Sequence, residues 1–174
     1  MKLQHKKIIF FDGDGTLWYP KKTKYTKKPH WLYKDQSIKD YHPHLMLIPT
    51  VRDTLKELKK KGILTIILST HPHNIKEAYE LINQKVAYFK LENLFTEVHA
   101  TREKYVSKGV YISKILKRLK IPKTKALMVG DNYPWDYKPA RNAGIDALLI
   151  QSEYMNKDKR LKTITKLSDI LTLI

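Results

Sequence analysis

The stretch Lys7–Trp18, KIIFFDGDGTLW, decides how the rest of the chain is read. Ile8–Phe11 is a short, unbroken apolar run, the kind that suits a strand buried on both faces of a parallel sheet. It leads directly into Asp12 and Asp14, two positions apart, with Gly13 and Gly15 supplying a tight turn. While the backbone stays extended, both carboxylates leave the same face of the sheet edge. Two carboxylates that close repel unless a cation or a proton intervenes, so the pair invites a divalent metal. An all-oxygen donor set selects Mg²⁺ over zinc. Asp-Gly turns also join ordinary strands, and this stretch alone does not separate the two readings.

Outward from it the same pattern repeats. Leu64–Leu68 (LTIIL), Ala126–Val129 (ALMV) and Ala147–Ile150 (ALLI) are further apolar runs, and the weaker Glu97–Ala100 is read as one more strand. Helical periods lie between them. Val51, Leu55 and Leu58 form one stripe, Ile75, Ala78, Tyr79 and Ile82 a second, and Ile112, Ile115, Leu116 and Leu119 a third. Gly62 closes the first helix after the basic turn Lys59–Lys61. A closing helix is expected around Lys157–Ile174. Strand–helix alternation of this kind predicts an α/β fold, a three-layer, doubly wound, Rossmann-like parallel sheet. Right-handed crossovers then gather the strand C-termini along one edge, where such folds bind ligands.

The chain has 174 residues, 42% of them hydrophobic, and is expected to form one domain over 1–174. With no cysteine it has no disulfide framework, no thiolate zinc site and no cysteine nucleophile. Ile8–Phe11 is far too short for a signal peptide or a membrane span, so a soluble, cytoplasmic protein without membrane contact is expected, a monomer or small homo-oligomer. The charge is the outlier, 34 Lys+Arg against 17 Asp+Glu for a formal +17. Such a surface attracts polyanions, but it also simply raises solubility.

Three more segments bring chemistry to the predicted edge. IILST delivers Ser69 and Thr70, hydroxyls that can donate to a phosphoryl oxygen or merely cap the next helix. TREKYVSKGVYISKIL places Lys108 at a helix start, and ALMVGDNYPWD places Asp131 and Asp136 after another strand. The carboxylates bring about four negative charges to one edge, and a phosphate monoester adds nearly two, so Mg²⁺ and Lys108 are needed to admit the substrate.

In this order, DxDGT, apolar run then Ser, Lys before a helix and GDxxxxD, the chain resembles the haloacid dehalogenase superfamily of aspartate-nucleophile phosphotransferases over Ile8–Ile150. The resemblance implies a Mg²⁺-dependent phosphatase that hydrolyses phosphate monoesters through an aspartyl-phosphate. Asp12 is then the nucleophile and Asp14 the general acid and base. Asp12, Asp14 through its main-chain carbonyl, and Asp131 hold Mg²⁺. Asp136 completes that set by orienting Lys108 or a metal-bound water. Thr16 supports the turn beside the phosphate, Ser69 and Thr70 bind the phosphoryl group, and Lys108 bridges it to the nucleophile. A second Asp, at position 14, also speaks against dehalogenation, which needs no leaving-group acid.

Superfamily members differ mainly in the cap over the site. Neither Leu17–Ile48 nor His71–Ser107 is long enough for a full cap domain. The chain is therefore similar to capless members, most of all to the magnesium-dependent phosphatase family, on Thr16-Leu17-Trp18, IPTVRDTLKELKKKG, AYFKLENLF and VSKG. An open site accepts a small phosphate ester, a phosphotyrosine-like group or a nucleic-acid end. Residues 18–48 read as a flap in which Lys21, Lys22, Lys24, Lys27 and Lys28 alternate with Tyr25 and Trp31. This flap supports an alternative, a polynucleotide end (3′-)phosphatase, if it tracks phosphates, and a solvated flap if it does not. A non-catalytic polyanion-binding domain on the same scaffold is the third reading. His42-Pro43-His44 and His71-Pro72-His73 lack the spacing of a zinc site. His71 is placed at the site mouth, and Trp135 is read as packing.

Overall fold

The computed structural model describes residues 3, 5–23, 37–71, 73–101, 106–153 and 160–174. Six strands form the main sheet: β1 (Ile8–Phe11), β4 (Leu64–Thr70), β5 (Glu97–Thr101), β6 (Ala126–Gly130), β7 (Asp146–Ile150) and β8 (Thr163–Ile164). Their spatial order is β5-β4-β1-β6-β7-β8, with every pairing parallel. Two further strands, β2 (Trp18–Pro20) and β3 (Leu45–Leu47), pair antiparallel outside it. The helices are α1 (Val51–Lys60), α2 (Ile75–Tyr88), α3 (Lys108–Leu119), α4 (Lys138–Asn142) and α5 (Ile170–Leu173).

The unbroken apolar runs follow from burial on both faces. With a period of two, Ile9, Phe11, Ile67, Leu127, Val129, Leu148 and Ile150 point to one face, where α1 and α2 deliver Val51, Leu55, Leu58, Ala78 and Ile82. Ile8, Phe10, Ile66, Leu68, Met128 and Leu149 point to the other, against Ile112, Ile115 and Leu116 of α3 and Ala140 of α4. The three-layer, doubly wound α/β expectation therefore holds, and among the described residues no large cap accompanies the core. Among the described residues, no helix is long and apolar enough to cross a membrane.

Two expectations need correction. Residues 163–174 are not one helix: Thr163–Ile164 extends the sheet, a 3₁₀ turn covers Leu167–Asp169, and only Ile170–Leu173 is α-helical. The Asp169 carboxylate explains the break, because it accepts from the Thr165 and Lys166 N–H groups (2.9 and 3.0 Å) and from Thr165 Oγ1 (2.8 Å). Those bonds offer the backbone an alternative to helix. The α2 stripe is also rotated: Ile75 and Tyr79 are exposed, and the buried face is Ala78, Ile82, Lys85 and Val86.

At the two ends of the expected flap, β2 and β3 pair in the register Trp18↔Leu47, Tyr19↔Met46 and Pro20↔Leu45. Lys21 and Lys22 are exposed, and Trp18 is fully buried, stacked on Phe89 at 6.2 Å. Lys24, Tyr25, Lys27, Lys28 and Trp31 lie outside the described residues. Phe10 sits at the centre of the layer between the sheet and α3, with no exposed surface. Phe10→Ala should cost about 3–5 kcal/mol in equilibrium urea unfolding, and a loss well under about 1 kcal/mol would contradict this packing.

Candidate active site

Parallel pairing fixes which side chains meet. β1 is in register with both neighbours, Phe11 opposite Ile67 of β4 and Val129 of β6. The residues just beyond these positions, Asp12, Ser69 and Asp131, therefore gather at the carboxyl edge. The Asp12 N–H donates to the Val129 carbonyl (3.0 Å), so the strand geometry extends as far as the carboxylate. The turn that follows is closed by the Thr16 and Leu17 N–H groups donating to the Gly13 carbonyl (3.1 and 2.8 Å). Gly13 is required here: a Cβ would stand 2.9 Å from Ser69 Oγ and 2.9 Å from the Trp18 ring.

The fourth segment forms differently. After Gly130 and Asp131, residues Tyr133–Tyr137 make a π-helical turn that carries Asp136 back over the strand end. A Cβ on Gly130 would come within 2.3 Å of the Asp136 carboxylate, so only glycine permits that approach. The Asn132 N–H donates to Asp136 Oδ2 (2.9 Å). Lys108, the first residue of α3, supplies the third wall. Its ammonium donates to Asp12 Oδ1 (2.6 Å) and Asp136 Oδ1 (2.5 Å), with both partners and itself nearly or fully buried.

Oxygens of Asp12, Asp131 and Asp136 lie within 4.8 Å of one another. Burial, reinforced by the Asp12 charge and opposed by Lys108, pushes Asp136 up to about 7. Burial also works against a charged Lys108, but Asp12 and Asp136 outweigh it and hold the ammonium above its ordinary value. Three crowded carboxylates facing one ammonium leave an excess of negative charge, and their donors are all oxygen. That set fits a hard divalent cation such as Mg²⁺.

Asp14 is placed apart from this group. Its Oδ1 accepts from Trp18 Nε1 (3.0 Å), and both of its oxygens accept from Lys85 Nζ (3.3 and 3.1 Å). Lys85 projects from the core face of α2, fully buried, with its ammonium 5.5 Å from the centre of the Trp18 ring. Burial holds its pKa below the ordinary lysine value, against the opposing pull of Asp14. Sequence reasoning did not single out Lys85. The signal was present, because continuing the α2 stripe from Ala78 and Ile82 lands on Lys85 and Val86. A lysine inside an apolar stripe demands a buried counter-charge, and Asp14 provides it.

The remaining candidates separate. Ser69 is buried against Gly13, whereas the Thr70 hydroxyl shares a hydrogen bond with Thr101 across β4 and β5 (3.0 Å). Thr16 is fully buried, and its hydroxyl has no hydrogen-bond partner among the described residues. His71 is buried, and burial depresses its pKa. Its Nδ1 meets Nδ1 of His73 at 2.8 Å. His42 instead pairs with Asp40 (2.6 Å). Neither triplet enters a group of three metal-ligating side chains among the described residues. Trp135, expected to pack, is 43% exposed on the turn between Asp131 and Asp136.

A family model described as "Haloacid dehalogenase-like hydrolase" matches residues 4–150. The chain belongs to the haloacid dehalogenase-like hydrolases. Among curated proteins of this kind, it is 27% identical over 149 residues to a candidate pyrophosphatase, PpaX, of Caldanaerobacter subterraneus subsp. tengcongensis. That match spans 82% of this chain and 64% of the relative. Two solved structures share the fold. A candidate phosphatase from Clostridium difficile has a TM-score of 0.70 at 17% identity, covering 97% of this chain and 98% of that one. The HAD phosphatase from Thermococcus onnurineus has a TM-score of 0.69 at 17% identity, covering 95% and 96%. The aspartate cluster of this haloacid dehalogenase-like hydrolase thus stands where its sheet edge gathers the motifs.

Lys85→Met should cost about 3–5 kcal/mol in denaturant unfolding, because it strands a carboxylate in a nearly buried site. The double variant Lys85→Met/Asp14→Leu should recover more than half of that loss. Additive losses would show that the pair does not act as a unit.

Proposed function

We propose that the protein is a Mg²⁺-dependent phosphatase that hydrolyses phosphate monoesters through an aspartyl-phosphate on Asp12. The observation that carries this reading is the Lys108 ammonium held between Asp12 and Asp136 beside Asp131. A carboxylate nucleophile needs its own charge and that of the incoming phosphate offset before the two can approach, and a fixed lysine does this without reorganisation.

The roles follow from position. The Asp12 carboxylate forms a bond to phosphorus while the bond from phosphorus to the ester oxygen breaks, and the leaving oxygen takes a proton from the Asp14 carboxyl, which enters this half protonated and leaves it as the carboxylate. In the second half, Asp14 accepts a proton from water, whose oxygen attacks phosphorus. The bond from phosphorus to Asp12 then breaks, which releases inorganic phosphate and restores the carboxylate. Lys85 and Trp18 hold the Asp14 carboxylate in one orientation for both transfers. Ser69, across from Gly13, is the hydroxyl donor to the phosphoryl group. Thr70, tied to Thr101, supports the strand end instead. Carboxylates of Asp12, Asp131 and Asp136 would hold the metal or its water, and the bound metal supplies positive charge to the phosphoryl oxygens.

The absence of a large cap among the described residues supports an open site of the kind found in capless branches, and the motif pattern supports the magnesium-dependent phosphatase family within them. The name of the curated relative adds phosphoanhydrides to the esters worth assaying. With p-nitrophenyl phosphate, phosphotyrosine, a sugar phosphate and pyrophosphate as the panel, wild type should turn over at least one compound with Mg²⁺ and none after chelation. Asp12→Asn should lower kcat by a factor of at least about a thousand. Turnover that survives this substitution would refute a nucleophilic Asp12.

A further inference from the structure

A groove of about 690 Å³ runs between α3 and α4 and opens beside the carboxylate edge. Ser107 and Pro134 line its near end, next in sequence to Lys108 and close to Asp136. From there Val110, Lys114 and Lys117 continue along one face of α3 at spacings of three and four residues. Lys138 lines the α4 side and Lys123 the far end. From Lys108 to Lys117 the helix rises about 13 Å, at about 1.5 Å per residue.

The lining contains four lysines and no acidic residue. All four are exposed, and none pairs with a carboxylate among the described residues. The other basic residues of the same two helices are paired, Lys108 with Asp12 and Asp136 in the site itself. Arg118 pairs with Glu97 (2.5 Å) and Arg141 with Asp146 (2.8 Å). Positive charge with no acidic neighbour in the lining thus follows the wall that leads to the site. Apolar surface accompanies it: Val110 is 47% exposed inside the groove, and Trp135 is 43% exposed beside Pro134 at its mouth.

We propose that this groove seats single-stranded nucleic acid and presents a terminal phosphate to Asp12. The polymer repeats negative charge at every step, as the lysine row requires, and its bases offer flat faces to Val110 and Trp135. An acidic peptide would satisfy the lysines but has no flat, stackable group at each step. The proposal rests on the phosphatase reading for its terminal step only, because binding in the groove does not depend on chemistry at Asp12.

The test uses the full chain and a fluorescein-labelled oligodeoxynucleotide bearing a terminal phosphate, with anisotropy read in the Asp12→Asn background at several salt concentrations. The groove variant Lys114→Gln/Lys117→Gln is compared with Lys56→Gln/Lys61→Gln on the opposite side of the sheet, which removes the same charge. The groove variant should weaken binding about tenfold and reduce the slope of log K against log salt by about two, while the control stays near the parent. Turnover of p-nitrophenyl phosphate, measured with Asp12 intact, should be unchanged in both. Equal weakening by the two variants, no oligonucleotide binding, or polyglutamate binding that matches the oligonucleotide would each overturn the proposal. Oligonucleotide binding that depends on the groove, without turnover of any phosphate ester by wild type, would uphold the groove and remove the phosphatase reading.

Discussion

Three buried carboxylates within 4.8 Å of one another cannot persist as bare anions, and the rest of the structure is arranged around that constraint. Each like-charged pair at about 4 Å costs about 4 kcal/mol at an effective dielectric of about 20, before any desolvation. Lys108 offsets part of this from the first turn of α3, and burial beside Asp12 raises the Asp136 pKa. What remains is a deficit that a divalent cation would fill. A parallel sheet with β1 at its centre places Asp12 and Asp131 side by side without strain, because neighbouring strands end at the same level. The two glycines at the edge then let Ser69 and Asp136 close on the site.

A second ion pair, Lys85 with Asp14, divides the acidic edge into two parts with different work. One part, Asp12 with Asp131 and Asp136, would in the proposed reaction hold charge around the phosphoryl group. The other keeps the Asp14 carboxylate out of that cluster, on a buried ammonium and an indole N–H. The division matters chemically, since a carboxylate that entered the metal set would be poorly placed to move protons. In the proposed reaction Lys85 is therefore a positioning residue reached through α2, far in sequence from the motifs.

Much of this was legible in the chain itself. The four apolar runs became the four central strands because burial on both faces leaves no alternation to blur the reading. Asp12, Lys108, Asp131 and Asp136 met as expected because each lies at a strand end or helix start, where topology fixes position. What escaped depended on contacts that periodicity does not encode. The rotation of α2 toward Lys85 follows from packing, the break near Asp169 from a side chain capturing backbone donors, and the exposure of Trp135 from the π-helical turn. Ser69 and Thr70 looked equivalent in sequence, yet alternation along β4 turns only one of them toward Gly13.

Covalent phosphorylation of Asp12 is the step on which the proposed mechanism turns, and peptide mapping after rapid acid quench tests it most directly. Protein mixed with Mg²⁺ and a hydrolysed phosphate monoester should carry a phosphoryl adduct on the peptide containing Asp12, and the adduct should vanish in Asp12→Asn. Phosphate release at the full rate with no adduct, or an adduct at another residue, would contradict it.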